Sequence, residues 1–177
     1  MQGKKFASVI LGITALLTAP VVAAHEGFHL ASGLVDGFMH PASGIDHLLI
    51  AIAAGYWAAR AGDHGLQDML AFLALFAGGL LLGAASLAWV QPELVTPVLF
   101  VLTVAVIAVA IAMPQWFYQA LFGGLALYQG MVHMLAAPPA GGISGFAIGL
   151  FISTAVLLKL GLMLRIVIST FRSHRSG

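Results

Sequence analysis

The stretch HPASGIDH, which runs from His40 to His47, stands at the head of an apolar run from Leu48 to Ala59. It brings two imidazoles and the carboxylate of Asp46 to the edge of an uncharged segment. Placing an aspartate near the middle of a bilayer costs roughly 2.5–3.5 kcal/mol on insertion scales, so a polar cluster kept there indicates a functional site. Its nitrogen and oxygen donors, with no sulfur, suit a divalent transition metal.

The composition favours an integral membrane protein. Of the 177 residues, 61% are hydrophobic and 7% are charged, and the mean hydropathy is +1.05. Soluble domains are about 45–50% apolar and about 25% charged. A net charge of +1 without a basic run argues against a nucleic-acid partner. The absence of cysteine excludes disulfides and thiolate metal sites.

The first 24 residues have the pattern of a cleavable signal peptide. Lys4 and Lys5 form a basic start, and an apolar run follows from Phe6 to Leu17. Cleavage after Ala24 makes His25 the mature N-terminus, on the periplasmic side. The alternative is an uncleaved first transmembrane helix. In both cases His25 emerges on the outer side of the membrane.

The remaining residues, 25–177, form a single helical domain with about five membrane spans. A span needs about 20 apolar residues at a rise of 1.5 Å per residue. The predicted spans are residues 43–60, 67–90, 94–112, 115–136 and 143–168. A periplasmic N-terminus then leaves the C-terminus in the cytoplasm, with Arg60, Arg165, Arg172 and Arg175 inside, as the positive-inside rule requires. We therefore predict an all-α, multi-pass bundle in a bacterial inner membrane.

Residues 26–39 are too short to cross a membrane and carry His29 and Asp36 among apolar residues. This pattern predicts a short amphipathic helix that lies at the outer interface or dips between other helices. Pro41 has no amide donor and disfavours helical geometry at His40, so we expect the helix to break there.

Histidine spacing suggests a polar face on this segment. His25, His29, Asp36, His40 and His47 would share an arc of about 60° if one helix were continuous. Alternatively, His25 and His29 are solvated residues on an exposed polar face. We take His25, His29 and Asp36 as further candidate metal ligands.

His40, Asp46 and His47 are stronger candidates for metal ligands. Neutral imidazole binds nickel, cobalt, copper or zinc, and a nearby carboxylate can ligate directly or hold a histidine ring by its other N–H. The alternative is that Asp46 caps a helix and both imidazoles bond to nearby backbone.

Gln129 and His133 are four residues apart and therefore share a face of the fourth span. The predicted topology places His133 near the outer end of that span, at the depth of His40 and His47. Two distant segments that bring polar groups to one depth indicate a site between helices, although a lone intramembrane histidine often has a structural hydrogen bond. Gln129 is a weaker, oxygen-donating candidate.

Two further patterns concern packing and the inner side. Glycines such as Gly145, Gly149, Gly83 and Gly124 suggest close contacts between membrane helices. Asp63, His64 and Asp68 are predicted to cluster on the inner side, either as a solvated loop or as a group that receives a departing metal.

The run His40-Pro41-x-x-Gly44-x-Asp46-His47 resembles the H-P-x-x-G-x-D-H signature of the HupE/UreJ family. These small membrane proteins are associated with hydrogenase and urease maturation and are regarded as nickel or cobalt permeases. A second family motif, F-H-G-x-A-H-G, corresponds to Tyr128–Met134. There His133 retains the second histidine, whereas Gln129 replaces the first. A histidine usual in the last span is absent near Leu158.

The resemblance implies a secondary permease that moves a divalent transition metal inward. The expected cargo is Ni²⁺ or Co²⁺, with Zn²⁺ and Cu²⁺ as further candidates, and no cofactor is permanently bound. The expected partners are the lipid bilayer, the metal ion and metalloenzyme maturation proteins. We expect no enzymatic activity, and the chain has no nucleotide-binding P-loop.

Two alternatives remain open from the sequence. The first is a metal-binding accessory protein for metalloenzyme assembly that does not transport. The second is a membrane-embedded zinc hydrolase, which would need a general acid or base at the metal. The only glutamates are Glu26 and Glu93, and neither lies within the polar cluster.

Overall fold

The computed structural model describes residues 33–85, 98, 101, 114–135, 137 and 142–175. The predicted signal peptide, His25, His29, both glutamates and nearly all of the predicted span 94–112 lie outside the described residues. The predictions made for them stay predictions.

The described residues are almost entirely helical. The helices are α1 (Gly33–Ser43), α2 (Ile45–Ala58), α3 (Gly65–Ala84), α4 (Gln115–Leu135) and α5 (Ile143–Arg175), with a 3-10 turn at Gly62–His64. No strand occurs in this part of the chain. The predicted all-α class is confirmed.

The chain breaks at Gly44 and not at His40, so the predicted position of the break was wrong. Helix α1 continues through Pro41 to Ser43, and Gly44 then adopts an extended conformation with φ −116° and ψ 116°. Pro41 lies in the last turn of α1. Because proline has no N–H, one helical hydrogen bond, to the carbonyl of Gly37, cannot form. The helix tolerates this loss, and glycine supplies the change of direction.

Helices α1 and α2 lie one after the other along α5, and all three run in the same direction. Gly37 of α1 contacts the backbone of Phe146, near the start of α5, whereas Gly55 of α2 contacts the backbone of Leu158. A Cβ added at Gly55 would meet the Leu158 carbonyl oxygen, and one at Gly161 would meet that of Ile52. Glycine is required at both positions because the two backbones touch.

Helices α3 and α4 form a second parallel pair with the same kind of contact. A Cβ at Gly79 would meet the carbonyl of Leu127, and one at Gly130 would meet the carbonyl of Phe76. Gly83, Gly145 and Gly149 also pack against neighbouring backbone, as their spacing suggested, whereas no described residue lies within 4 Å of a Cβ built at Gly124. A close contact at Gly124 therefore stays a prediction, because almost all of the chain between residues 86 and 113 lies outside the described residues.

The two pairs run in opposite directions because the chain reverses between α2 and α3. Gly62 makes this turn with φ 58°, a conformation that favours glycine. Gly65 then packs on the carbonyl of Ala58, so that α3 returns beside α2. As a result, the C-terminal half of α4 lies at the same end of the bundle as α1, and its start lies near the α2–α3 turn.

Within the described residues, two helices are long and apolar enough to cross a membrane, and they span Gly62–Ala84 and Ile143–Phe171. Only 28% and 33% of their most apolar windows are buried, so most of these apolar side chains lie on the protein surface. Helices that are apolar around most of their circumference are typical of lipid contact. The apolar helix at His47–Ala58 is shorter, and the arrangement of five spans stays a prediction.

Candidate metal-binding site

Three histidines from three helices meet at one end of the bundle. His40 lies in the last turn of α1, His47 in the first turn of α2, and His133 in the last turn of α4. One ligand nitrogen from each ring can be chosen so that all three lie within 4.8 Å of one another. We call these three residues the imidazole cluster. Among the described residues, it unites the two histidines of the opening motif with the third, predicted from the fourth span.

The rings of the imidazole cluster face one another closely. The ring centroids of His47 and His133 are 4.0 Å apart, those of His40 and His133 are 5.1 Å apart, and those of His40 and His47 are 6.1 Å apart. Seven residues of uninterrupted helix would separate His40 from His47 by about 10.5 Å along the axis. The interruption at Gly44 accommodates their closer approach.

The orientation of His133 follows from one hydrogen bond. Its Nδ1 lies 2.6 Å from the backbone carbonyl oxygen of Gln129, one turn earlier in α4. A carbonyl oxygen only accepts, so Nδ1 carries the proton and Nε2 of the neutral ring keeps a lone pair. This is the arrangement in which a metal-ligating histidine is held by its other N–H. His133 is only 4% exposed, and the bond fixes its ring inside the protein.

A small cavity extends from the cluster into the bundle. Its volume is about 20 Å³, and its polar lining comes from His47, His133, Gln129 and Thr154. This volume is enough for about one water molecule or one ion. Sequence reasoning missed Thr154, because a threonine within an apolar span carries no signal of what it faces.

Gln129 lies beside the cluster and is only 5% exposed. Neither Nε2 nor Oε1 of its side chain finds a hydrogen-bond partner among the described residues. An unsatisfied buried polar group costs about 1–3 kcal/mol. The carboxamide is therefore suited to a water molecule or an ion in the cavity that it lines.

The two aspartates predicted as metal ligands differ in what the structure shows of them. Asp46 is the second residue of α2, one position before His47, but its side chain lies outside the described part of the structure. Asp36 lies one turn before His40 on α1 and is not among the residues whose ligand atoms converge. Asp46 stays a predicted ligand, whereas Asp36 is not brought to the cluster.

Of the residues predicted to lie on the inner side, Asp63 and His64 are in an exposed turn, in agreement with the predicted solvated loop. Nδ1 of His64 lies 3.2 Å from Oε1 of Gln67, and both Asp63 and His64 are exposed. Asp68 instead accepts hydrogen bonds from two glutamines at the start of α4. No sequence signal predicted this contact, because its partners are 47 and 51 residues away along the chain.

The donor set of the imidazole cluster fits a borderline transition metal. Neutral imidazole suits nickel, cobalt, copper and zinc, whereas magnesium and calcium prefer oxygen. Three protein ligands leave further coordination positions to water, as in metal sites that exchange a ligand. The cluster is therefore able to hold a cation without enclosing it.

Comparison with known proteins identifies relatives of the same kind. The family described as HupE / UreJ protein matches residues 13–176. Protein HupE of Rhizobium leguminosarum bv. viciae is 29% identical over 159 residues, which cover 89% of this chain and 83% of that protein. No solved structure matches.

Proposed function

Because the chain belongs to the HupE/UreJ family, whose members are accessory or transport membrane proteins and not enzymes, we propose that it is an inner-membrane permease for a divalent transition cation. The cargo is nickel or cobalt, the metals with which the family is associated. The direction of movement is inward, from the end of the bundle that carries the imidazole cluster.

One observation carries this proposal: three imidazoles on three separate helices converge to within 4.8 Å. Histidines at unrelated positions on apolar helices rarely meet by packing alone, because ionisable groups within membrane segments are costly. Their convergence next to a cavity with an unsatisfied carboxamide indicates that the space is built for a polar guest.

Passage requires a site that replaces part of the hydration shell without holding the ion permanently. Three nitrogen ligands replace up to three waters, and the ion keeps the others. Gln129 and Thr154 then offer oxygen atoms on the inward side of the cluster. Asp46, if its carboxylate joins the site, adds a negative charge that compensates the cost of dehydrating a divalent cation.

A metal-binding accessory role without transport is the second candidate. The replacement of the usual family histidine by Gln129 favours it, because one nitrogen ligand fewer changes the affinity of the pathway. Both candidates require the imidazole cluster to bind metal, and only the first requires metal to cross the membrane.

Uptake of radiolabelled nickel, cobalt and zinc by proteoliposomes loaded with a chelator separates the two candidates. We expect uptake by the wild-type protein to exceed that of empty liposomes, and His47→Ala to abolish the excess. His64→Ala is the matched control, since His64 is exposed and belongs to the turn before α3. Tight binding of metal by the wild type without any uptake would contradict the permease and support the accessory role.

A further inference from the structure

A second cavity lies toward the opposite end of the bundle. Its volume is about 30 Å³, and all four of the helices α2, α3, α4 and α5 contribute to its walls. Most of the lining is apolar, and its polar residues are Asp68, Tyr118 and Gln119. Phe72 lines both this cavity and the one beside the imidazole cluster, so the two spaces are neighbours in the bundle.

Asp68 provides a fixed carboxylate at this cavity. Its Oδ1 accepts a hydrogen bond of 2.8 Å from Nε2 of Gln119, and its Oδ2 accepts one of 2.5 Å from Nε2 of Gln115. Both donors are neutral amides, so these bonds orient the carboxylate without neutralising its charge. A carboxylate has about four lone-pair positions. The two glutamines occupy two of them.

Tyr118 provides independent evidence that this cavity accommodates a polar ligand. The side chain is only 7% exposed, and its hydroxyl has no hydrogen-bond partner within the described ranges. Its ring packs against those of Trp57 and Phe122, at centroid distances of 4.7 and 4.8 Å. A buried hydroxyl without a partner costs about 1–3 kcal/mol. Aromatic packing therefore fixes a polar atom that requires a guest to satisfy it.

We propose that this cavity is a second cation site, in which the Asp68 carboxylate and the Tyr118 hydroxyl oxygen are the protein ligands. We call it the oxygen site. Gln115 and Gln119 position the carboxylate. The ligand class is a divalent cation that completes its coordination shell with water on the side of the partly exposed Asp68, because two protein oxygens do not complete the shell.

The oxygen site goes beyond the proposed function, because it does not require the imidazole cluster to bind or transport anything. Its chemistry also differs, because carboxylate and hydroxyl oxygens favour magnesium- and manganese-like ions and bind nickel or cobalt less selectively than imidazole does. If the protein is a permease, a cargo ion that reaches this cavity meets ligands of lower affinity near the inner end.

Manganese tests the oxygen site, because Mn²⁺ prefers oxygen ligands and free Mn²⁺ is counted by electron paramagnetic resonance. The full chain in nanodiscs is titrated with Mn²⁺ as the wild type and as Asp68→Asn, Tyr118→Phe, Asp63→Asn and His47→Ala. We expect one bound ion in the wild type. Loss of a ligand in Asp68→Asn or Tyr118→Phe is expected to weaken binding at least about tenfold.

Two variants serve as matched controls. Asp63→Asn removes an exposed carboxylate five residues away and is expected to leave Mn²⁺ binding unchanged. His47→Ala damages the imidazole cluster and is also expected to keep the Mn²⁺ site, which separates this proposal from the proposed function. Tyr118→Phe preserves the packed ring, so it decides the question even if Asp68→Asn fails to fold.

The proposal is overturned if the wild type binds no Mn²⁺, or if Asp68→Asn and Tyr118→Phe bind it as tightly as Asp63→Asn. Either result means that the cavity holds water only and that Asp68 serves to join α3 to α4. Uptake of nickel has no bearing on this result, so failure of transport leaves the oxygen site standing.

Discussion

The two ends of the bundle offer different chemistry to a cation. At one end, three imidazole nitrogens converge from α1, α2 and α4. At the other end, a carboxylate and a buried hydroxyl line a cavity among α2, α3, α4 and α5. Along α4, His133 lies 14 positions after Gln119, which corresponds to a rise of about 21 Å. Borderline nitrogen ligands and hard oxygen ligands therefore occupy opposite ends of one packed core.

This difference suggests how a small helical bundle can offer a metal ion sites of different affinity along its length. Imidazole holds nickel and cobalt more selectively than oxygen ligands do. An ion that moves from the imidazole cluster to the oxygen site therefore moves from a more selective to a less selective environment. For conduction, a site must bind the ion strongly enough for the ion to enter and weakly enough for it to leave. This interpretation can be tested by substitutions that affect both ends or one end, and by competition between ions that prefer different ligands.

The largest effect is expected where both ends depend on one contact. Gly55 holds α2 against the backbone of Leu158 in α5. A leucine there must push the two helices apart, so we expect Gly55→Leu to yield no folded protein and to lose both sites together. Gly124→Leu is the control, because none of the residues that the structure describes lies within 4 Å of its Cβ position. Size-exclusion chromatography in detergent measures the folded fraction. A monodisperse Gly55→Leu protein would show that the contact is dispensable.

The second effect is confined to the imidazole cluster. His47→Ala removes the ring that lies 4.0 Å from that of His133, measured between centroids. We expect its affinity for Ni²⁺ to fall by a factor of about 100 or more, because loss of a ligand exceeds the 10–100-fold effect of losing a supporting group. Isothermal titration calorimetry measures it, with His64→Ala as the control. An affinity equal to that of the control would exclude His47 as a ligand.

Helix boundaries were predictable where a proline or a pair of glycines marks them. Helices α4 and α5 begin at Gln115 and Ile143, directly after Pro114 and the Gly141–Gly142 pair, which interrupt helices strongly. Helix α5 instead continues to Arg175, seven residues beyond the predicted end at residue 168. Hydropathy detects only the part that suits a membrane, whereas the backbone continues as a helix until a residue stops it.

The sequence predicted the depth at which the candidate site lies, but not which residues of other helices contact it. The helical period placed Gln129 and His133 on one face, and the topology placed His133 at the level of His40. Periodicity does not state which helices touch, so the carbonyl bond to His133 and the cavity beside Thr154 required the structure. The same limit hid the bonds from Gln115 and Gln119 to Asp68, even though the two glutamines are one turn apart and share a helix face.

A smaller effect is expected from the residue that distinguishes this chain from its family pattern. Gln129→His restores the usual first histidine of the second motif, next to a cavity that already contains an unsatisfied carboxamide. We expect affinity for Ni²⁺ to rise about tenfold, as expected for a supporting or additional nitrogen donor, and release into the vesicle to become slower. Calorimetry measures the change in affinity, and the proteoliposome assay measures the change in the rate of release. Unchanged affinity would place residue 129 outside the coordination shell.

The smallest effect concerns competition between ions, and it compares the two ends directly. Mg²⁺ prefers oxygen ligands and keeps most of its waters, so it competes poorly for imidazole. A large excess of Mg²⁺ is therefore expected to reduce Mn²⁺ binding at the oxygen site a few-fold and to leave Ni²⁺ binding at the imidazole cluster unchanged. Both titrations use the wild-type protein, so no folding defect can interfere. Displacement of Ni²⁺ by Mg²⁺ would mean that oxygen ligands dominate at both ends, and the chemical contrast between the two ends would be lost.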